Sequence, residues 1–235
     1  MPPFYQIQNA ILKVSCEAQV LIPTIPIVRS EEKLLSELVL CILSSQDKYE
    51  IALAAVKELR LKKILQKVIT ATNTVEIRHN IETILHYPIA FESTGKTYKR
   101  RLRFFVKKTN YIVLTLENIY LKGLTIRKIL NQDSSAVEPR KKIMKHSYGL
   151  GPKQASMFLR NIGYNTDLAV LDKHVIDYMK LVGLISSSIT TISSYSTYIK
   201  TEKKLQFYSK HLNLSLFHLD LAIWITMRNL RYSKI

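Results

Sequence analysis

The sequence predicts an all-α protein. Apolar residues recur at three- and four-residue intervals along nearly the whole chain, the period of a helix with one buried face. No alternating apolar–polar run is flanked by hairpin turn signals. Hydrophobic residues make up 47% of the 235, enough for a sizeable core and too many for wholesale disorder.

The elements follow in order. Ile7, Ile11, Val14 and Ala18 mark an opening helix. The segment LIPTIPIV comes next, and its prolines argue against a central strand. Residues 31–45 read as a buried helix with Leu34, Leu35, Leu38, Cys41 and Ile42 on the inward face. Residues 49–69 continue helically through Ile51, Ala55 and Leu59, and 74–86 form a short amphipathic helix. Pro88 and Gly95 break the pattern in HYPIAFESTGKT. Residues 97–121 read as one long basic helix. After Gly123, two more helices lead to the turn Gly149-Leu150-Gly151, and Pro152 opens the helix beyond it. Gly163-Tyr164-Asn165-Thr166 ends that helix, and Asp172 begins the next as a cap. The Ser/Thr-rich connector SSSITTISSYS spans 186–196, and helices around 197–211 and 215–229 finish the chain. The expected division is a helical subdomain of 1–122 plus 197–235 and a second of 123–196, flanking a cleft.

Lys plus Arg number 35 against 18 acidic residues, a formal charge of +17. That excess favours a polyanion, because cations placed on phosphates release condensed counterions. On charge alone DNA, RNA and an anionic membrane all qualify. The two cysteines, Cys16 and Cys41, read as small buried hydrophobes in an intracellular protein. They are too few for a cysteine-ligated iron–sulfur cluster. No apolar run approaches the ~20 residues that span a bilayer. The histidines do not cluster with carboxylates or cysteines at metal-ligand spacing, so no metal site is expected.

The chemistry concentrates in residues 146–176. Glycines at 149 and 151 allow a tight backbone turn. The exposed N–H groups at the following helix start can then hold a phosphate without reading sequence. The alternative is an ordinary helix–turn–helix packing unit. Lys153 stands one residue inside the helix start, and Asp172 follows nineteen residues later (172 − 153 = 19). An amine there can attack a sugar C1′, expel the base and leave an imine that permits β-elimination. A free lysine, pKa ~10.4, is protonated at neutral pH. Burial or a helix N-terminus works toward deprotonation, and carboxylates or phosphates work against it. A fixed carboxylate at Asp172 can oppose positive charge on the sugar. The bland alternatives are a phosphate-binding surface lysine and a simple helix cap. His174 either donates to a nearby phosphate or is an exposed helical histidine.

Residues 149–176 resemble the helix-hairpin-helix superfamily of DNA glycosylases, and GLGPKQASMFLRNIGY followed by LAVLDKHVI is similar to the type-2 branch of 8-oxoguanine DNA glycosylase/AP lyases. CILSSQDKYEIA (41–52), RFFVKKTNYIV (103–113) and LDLAIW (219–224) extend the likeness in the expected order. The resemblance implies the helix-hairpin-helix DNA glycosylase fold, with Lys153 as Schiff-base nucleophile and Asp172 as catalytic carboxylate. It places Gln46 where the superfamily carries an amide that enters the duplex beside an orphaned base. By itself Gln46 reads as a loop residue.

The basic run KTYKRRLRFFVKK includes Arg103 and Lys107, which can track phosphates, although such runs are often solvated faces. Met157, one turn beyond Lys153, and Trp224 are candidates to contact the extruded base, whereas Phe217 reads as core. The type-2 branch carries a C-terminal lysine near the base, and here the chain reads Lys234-Ile235 at that point. The implied function is excision of 8-oxoguanine followed by strand cleavage. Its partner is duplex DNA with an oxidised purine, and the protein is expected to be a monomer with no cofactor and no membrane attachment. Two alternatives are a helix-hairpin-helix glycosylase for another damaged base and a non-catalytic DNA-binding module.

Overall fold

The computed structural model describes residues 4–22, 24–70, 73–131, 137–164, 167–189, 192 and 194–232. They form two compact units, Val28–Phe158 and Met1–Ile27 with Leu159–Ile235.

The unit Val28–Phe158 is organised on helix α2 (Glu31–Leu43), whose residues from Leu34 to Leu43, other than Glu37, are buried. Such all-round burial marks a central helix. Packed on it are α3 (Tyr49–Leu61), α4 (Ile64–Thr70), α6 (Phe105–Leu116) and α7 (Ile126–Leu130). Helix α5 (Val75–His86) lies against α6. The sequence pattern read 49–69 as one helix, but Lys63 adopts φ 56° and separates α3 from α4. Glu31 fixes the start of α7. Its Oε1 accepts from Ile126 N at 2.7 Å and from the Tyr120 hydroxyl at 2.8 Å, and its Oε2 accepts from Arg127 N at 3.2 Å. The bonds from Ile126 N and Arg127 N satisfy donors that a helix start leaves open.

The segment in which Pro88 and Gly95 break the helical pattern, and the start of the expected basic helix after it, form a β-hairpin. Strand β1 (Ile89–Ser93) pairs antiparallel with β2 (Lys96–Arg100), from Ile89 opposite Arg100 to Ser93 opposite Lys96. The loop is Thr94-Gly95, at φ 53° and 73°, as a two-residue turn with two positive φ angles requires. Ile89, Phe91 and Ser93 are buried and alternate with exposed residues, whereas β2 is almost wholly exposed. Helix α6 therefore begins at Phe105 rather than 97, and a π-helical turn (Glu117–Leu121) closes it. Helix α8 (Val137–His146) and the opening of α9 (Pro152–Asn161) complete this unit.

In the other unit, α1 (Phe4–Leu21) packs on α12 (Leu216–Tyr232), which also meets α10 (Lys173–Leu181) and α11 (Tyr195–His211). Ile7, Ile11, Val175, Met179, Leu205 and Ile223 lie in its core. Gly163, at φ 70°, is pressed against backbone; an added Cβ would lie 2.7 Å from the Pro26 carbonyl oxygen. Asn165 and Thr166, expected in the same turn, lie outside the described residues, as do Lys234 and Ile235. Cys41 is buried as expected, but Cys16 is exposed on α1. Among the described residues no helix is long and apolar enough to cross a membrane.

Candidate functional site

The glycine turn is built by side chains of α6 and the π-turn. At the end of α8, Asn118 Nδ2 donates to the carbonyls of Lys145 and His146 at 3.4 and 3.2 Å, partnering oxygens that the helix leaves open. Thr115 Oγ1 accepts from Tyr148 N at 2.9 Å. Gly149 then turns at φ 74° against the Tyr111 ring; a Cβ there would lie 2.7 Å from Cε2. Glycine is thus required twice, for the left-handed backbone and for the close approach. Gly151 has no such constraint, since its Cβ would meet only Gln154 Oε1 at 3.5 Å. Leu150 is buried beneath the turn, and α9 starts at Pro152.

Lys153 is half-buried in the first turn of α9, and Met157 is half-buried one turn later. First-turn N–H groups have no partner within their own helix, so this end attracts an anion. Cys41 is fully buried, and its thiol sits 3.8 Å from Glu37 Oε1. Burial pushes that thiol well up; the Glu37 charge adds to this, and the Lys153 charge opposes it. Burial and then the Glu37 charge raise the Tyr49 phenol to about 12. Lys153 thus lies within electrostatic reach of a buried thiol that is hydrogen-bonded to a carboxylate. No local sequence pattern marks Glu37 or Tyr49 for this setting, since both stand at helix positions.

Gln46 is exposed at φ 56° just after α2. The neighbouring Asp47 carboxylate is wholly buried. Its Oδ1 accepts from Arg100 Nη2 at 2.6 Å, and its Oδ2 accepts from Arg103 N at 2.8 Å and Lys108 Nζ at 2.9 Å. Lys108 also donates to the Leu43 carbonyl at 2.8 Å. Burial lowers the lysine's pKa, and the Asp47 bond and charge work the other way. One carboxylate therefore ties the Gln46 turn to the loop that presents Arg103 and Phe104. Phe104 is 59% exposed at φ 54°, an apolar side chain on strained backbone that the helical reading of 97–121 concealed. Lys107 is exposed, its Nζ 5.6 Å from the Tyr111 ring centroid. Within the basic run the side chains of Arg100 and Lys108 hold Asp47, whereas those of Arg103 and Lys107 reach solvent.

The remaining candidates lie in the other unit. Asp172 is the N-cap of α10, its Oδ1 accepting from Val175 N at 2.9 Å. His174 is half-buried in the first turn of that helix. Trp224 is half-buried on α12, with the Arg228 guanidinium 4.8 Å above its ring. Phe217 is buried, as the core reading required, with the Arg160 guanidinium 5.3 Å from its ring centroid. Among the described residues no group of three His, Cys, Asp or Glu side chains could hold a metal ion.

Residues 25–214 match the sequence model of the family described as 8-oxoguanine DNA glycosylase. The chain is 33% identical over 202 residues to an 8-oxoguanine DNA glycosylase/AP lyase of Saccharolobus solfataricus, covering 85% of this chain and 84% of that protein. The crystal structure of the 8-oxoguanine DNA glycosylase of Thermotoga maritima superposes with a TM-score of 0.67 at 23% identity, covering 94% of this chain and 96% of that one. The Methanocaldococcus jannaschii 8-oxoguanine glycosylase/lyase, in complex with a 15mer DNA containing 8-oxoguanine, gives 0.61 at 24% identity, with 93% and 87% covered. At these identities the two structural likenesses establish the fold.

Proposed function

The chain belongs to the 8-oxoguanine DNA glycosylase family, and from that premise we propose that it excises 8-oxoguanine from duplex DNA and cleaves the strand through a Schiff base on Lys153. The observation that carries the residue assignment is the setting of Lys153. It is half-buried in the first turn of a ten-residue helix, directly after a turn whose backbone the Tyr111 ring constrains.

The unprotonated Nζ attacks C1′. The bond from C1′ to the purine nitrogen breaks, its electron pair leaves with the base, and the base takes up a proton. Asp172, held by its bond from Val175 N, opposes the positive charge that develops on the sugar. Ring opening gives an imine that acidifies the C2′ proton. Loss of that proton breaks the C3′–O3′ bond, and the electron pair goes to the phosphate oxygen.

The residue types assign the DNA contacts. The turn of Gly149 and Gly151 and the N–H groups after it hold a phosphate, and Arg103, Lys107 and His174 hold others. Gln46 fills the space of the extruded nucleotide, and the exposed Phe104 ring suits a wedge against the stack. Met157 and Trp224 are assigned to the flipped base. We retain 123–196 as the segment that carries the chemistry, with 1–122 and 197–235 as the remainder.

The test is borohydride trapping on duplex DNA with one 8-oxoguanine. A covalent adduct that Lys153→Gln abolishes while DNA binding persists supports the reading. An adduct with an abasic site alone moves the lesion to another base. No adduct with either substrate leaves a DNA-binding module.

A further inference from the structure

We propose that Tyr198 and Asp220 are positioning residues for Asp172, acting through the backbone of residues 169–171. The proposal rests on the reading of Asp172 as the catalytic carboxylate.

Residues 168–171 are buried and lie in neither helix nor strand. Buried backbone of this kind must find hydrogen-bond partners, and here side chains of α11 and α12 supply them. Ala169 N donates to Glu202 Oε1 at 2.9 Å, Val170 N to Asp220 Oδ2 at 2.9 Å, and Leu171 N to the Tyr198 hydroxyl at 3.2 Å. The same hydroxyl donates back to the Ala169 carbonyl at 2.7 Å. Tyr198 thus clips residues 169 and 171 together from a position 1% exposed.

A carboxylate as buried as Asp220, at 2% exposure, is costly unless paired. Arg160 Nη1 pairs with its Oδ2, beside the Val170 bond. Burial pushes the Asp220 carboxyl up, Arg160 and the Val170 N–H oppose this, and the Asp172 charge adds to the rise. Asp220 and Asp172 are therefore close enough to feel each other. The clipped segment leads directly into Asp172, whose N donates to the Val170 carbonyl at 2.6 Å. With its Cα delivered by 169–171 and its Oδ1 held by Val175 N, the carboxylate is fixed at both ends. Displacement of about 1 Å in such a group costs roughly 100-fold in rate.

The experiment is single-turnover excision on an 8-oxoguanine duplex, reading rate constant, amplitude and Kd separately for the full chain. Tyr198→Phe keeps the ring in the core and removes the clip. We expect its rate constant to fall about 10-fold, with amplitude and Kd unchanged. Asp220→Ala should lose about 100-fold. Asp220→Asn, which still offers an oxygen to Val170 N, should recover most of that loss. A merely structural role would lower the amplitude or Tm and leave the rate constant of folded enzyme alone. That result in Tyr198→Phe and Asp220→Asn overturns the proposal, and these two variants decide if Asp220→Ala does not fold. Asp172→Asn is the reference. If it turns over at the wild-type rate, the reading of Asp172 falls and the proposal with it. If it is inactive while Tyr198→Phe is wild-type, the positioning role alone falls.

Discussion

Asp47 and Lys108 form a buried ion pair, Oδ2 to Nζ at 2.9 Å, that joins the turn carrying Gln46 to the helix following Arg103. Both side chains are at most 4% exposed. Removing one member of such a pair strands the other charge away from water. We expect Asp47→Ala to lose about 3–5 kcal/mol of stability, read by thermal or denaturant unfolding. A loss within about 1 kcal/mol, the range of an exposed pair, would show that water reaches Lys108.

The same geometry separates the cations that hold Asp47 from the exposed ones proposed to bind DNA. Lys107→Gln and Arg103→Gln should each reduce the slope of log affinity against log salt by about 0.9, the effect of one phosphate contact. Arg100, bound to Asp47 at 2.6 Å, should on substitution by Gln lower stability and leave that slope nearly unchanged. Fluorescence anisotropy over a salt series measures it.

The two glycines of the turn should respond differently to alanine. Gly149→Ala meets both the left-handed backbone, about 1–2 kcal/mol, and the Tyr111 ring, so it should lower Tm. Adding Tyr111→Ala should restore the steric part. Gly151→Ala meets only ordinary contact and should fold normally, so weaker DNA binding by that variant reports a backbone approach to phosphate. Unfolding curves and binding isotherms on the same preparations distinguish the two.

Stability should also depend on pH through His146. Burial, reinforced by the charges of Lys145 and Lys122, holds its imidazole below the ordinary 6.5. Below that value the unfolded chain binds the proton more readily, so stability falls as pH drops through the window. From about pH 7 to about pH 5, wild type should therefore lose stability relative to His146→Gln. A pH-independent difference between the two would remove His146 as the cause.

Much of the fold was legible because apolar spacing is strong in long helices: α1, α2, α5, α11 and α12 lie close to where periodicity puts them. The hairpin was not legible. Its second strand, Lys96–Arg100, buries almost nothing and carries four polar residues around Tyr98, so it shows no alternation and merges with the basic helix behind it. The break at Lys63 and the turn at Phe104 escaped for a related reason: their positive φ angles fall on residues with no turn signature. In the candidate site, Asp172 reads as a cap from sequence and is one. The Gly149 turn was likewise legible, although its need for glycine comes from Tyr111, distant in sequence. Asp47 and Asp220 gave no signal, because a carboxylate's burial depends on tertiary partners that no local pattern reveals.

The anchoring of residues 169–171 also sets a timetable for synthesis. Their backbone partners are Tyr198, Glu202 and Asp220, and α1 at the other end of the chain packs on α12. A ribosome that has just finished residue 172 has made both candidate reacting groups but none of these anchors. Helix α1 must wait, its apolar face unmatched, until α12 has emerged. A nascent chain cut short before Asp220 should therefore carry Lys153 and Asp172 without holding the carboxylate in place, which requires α12 to have been made.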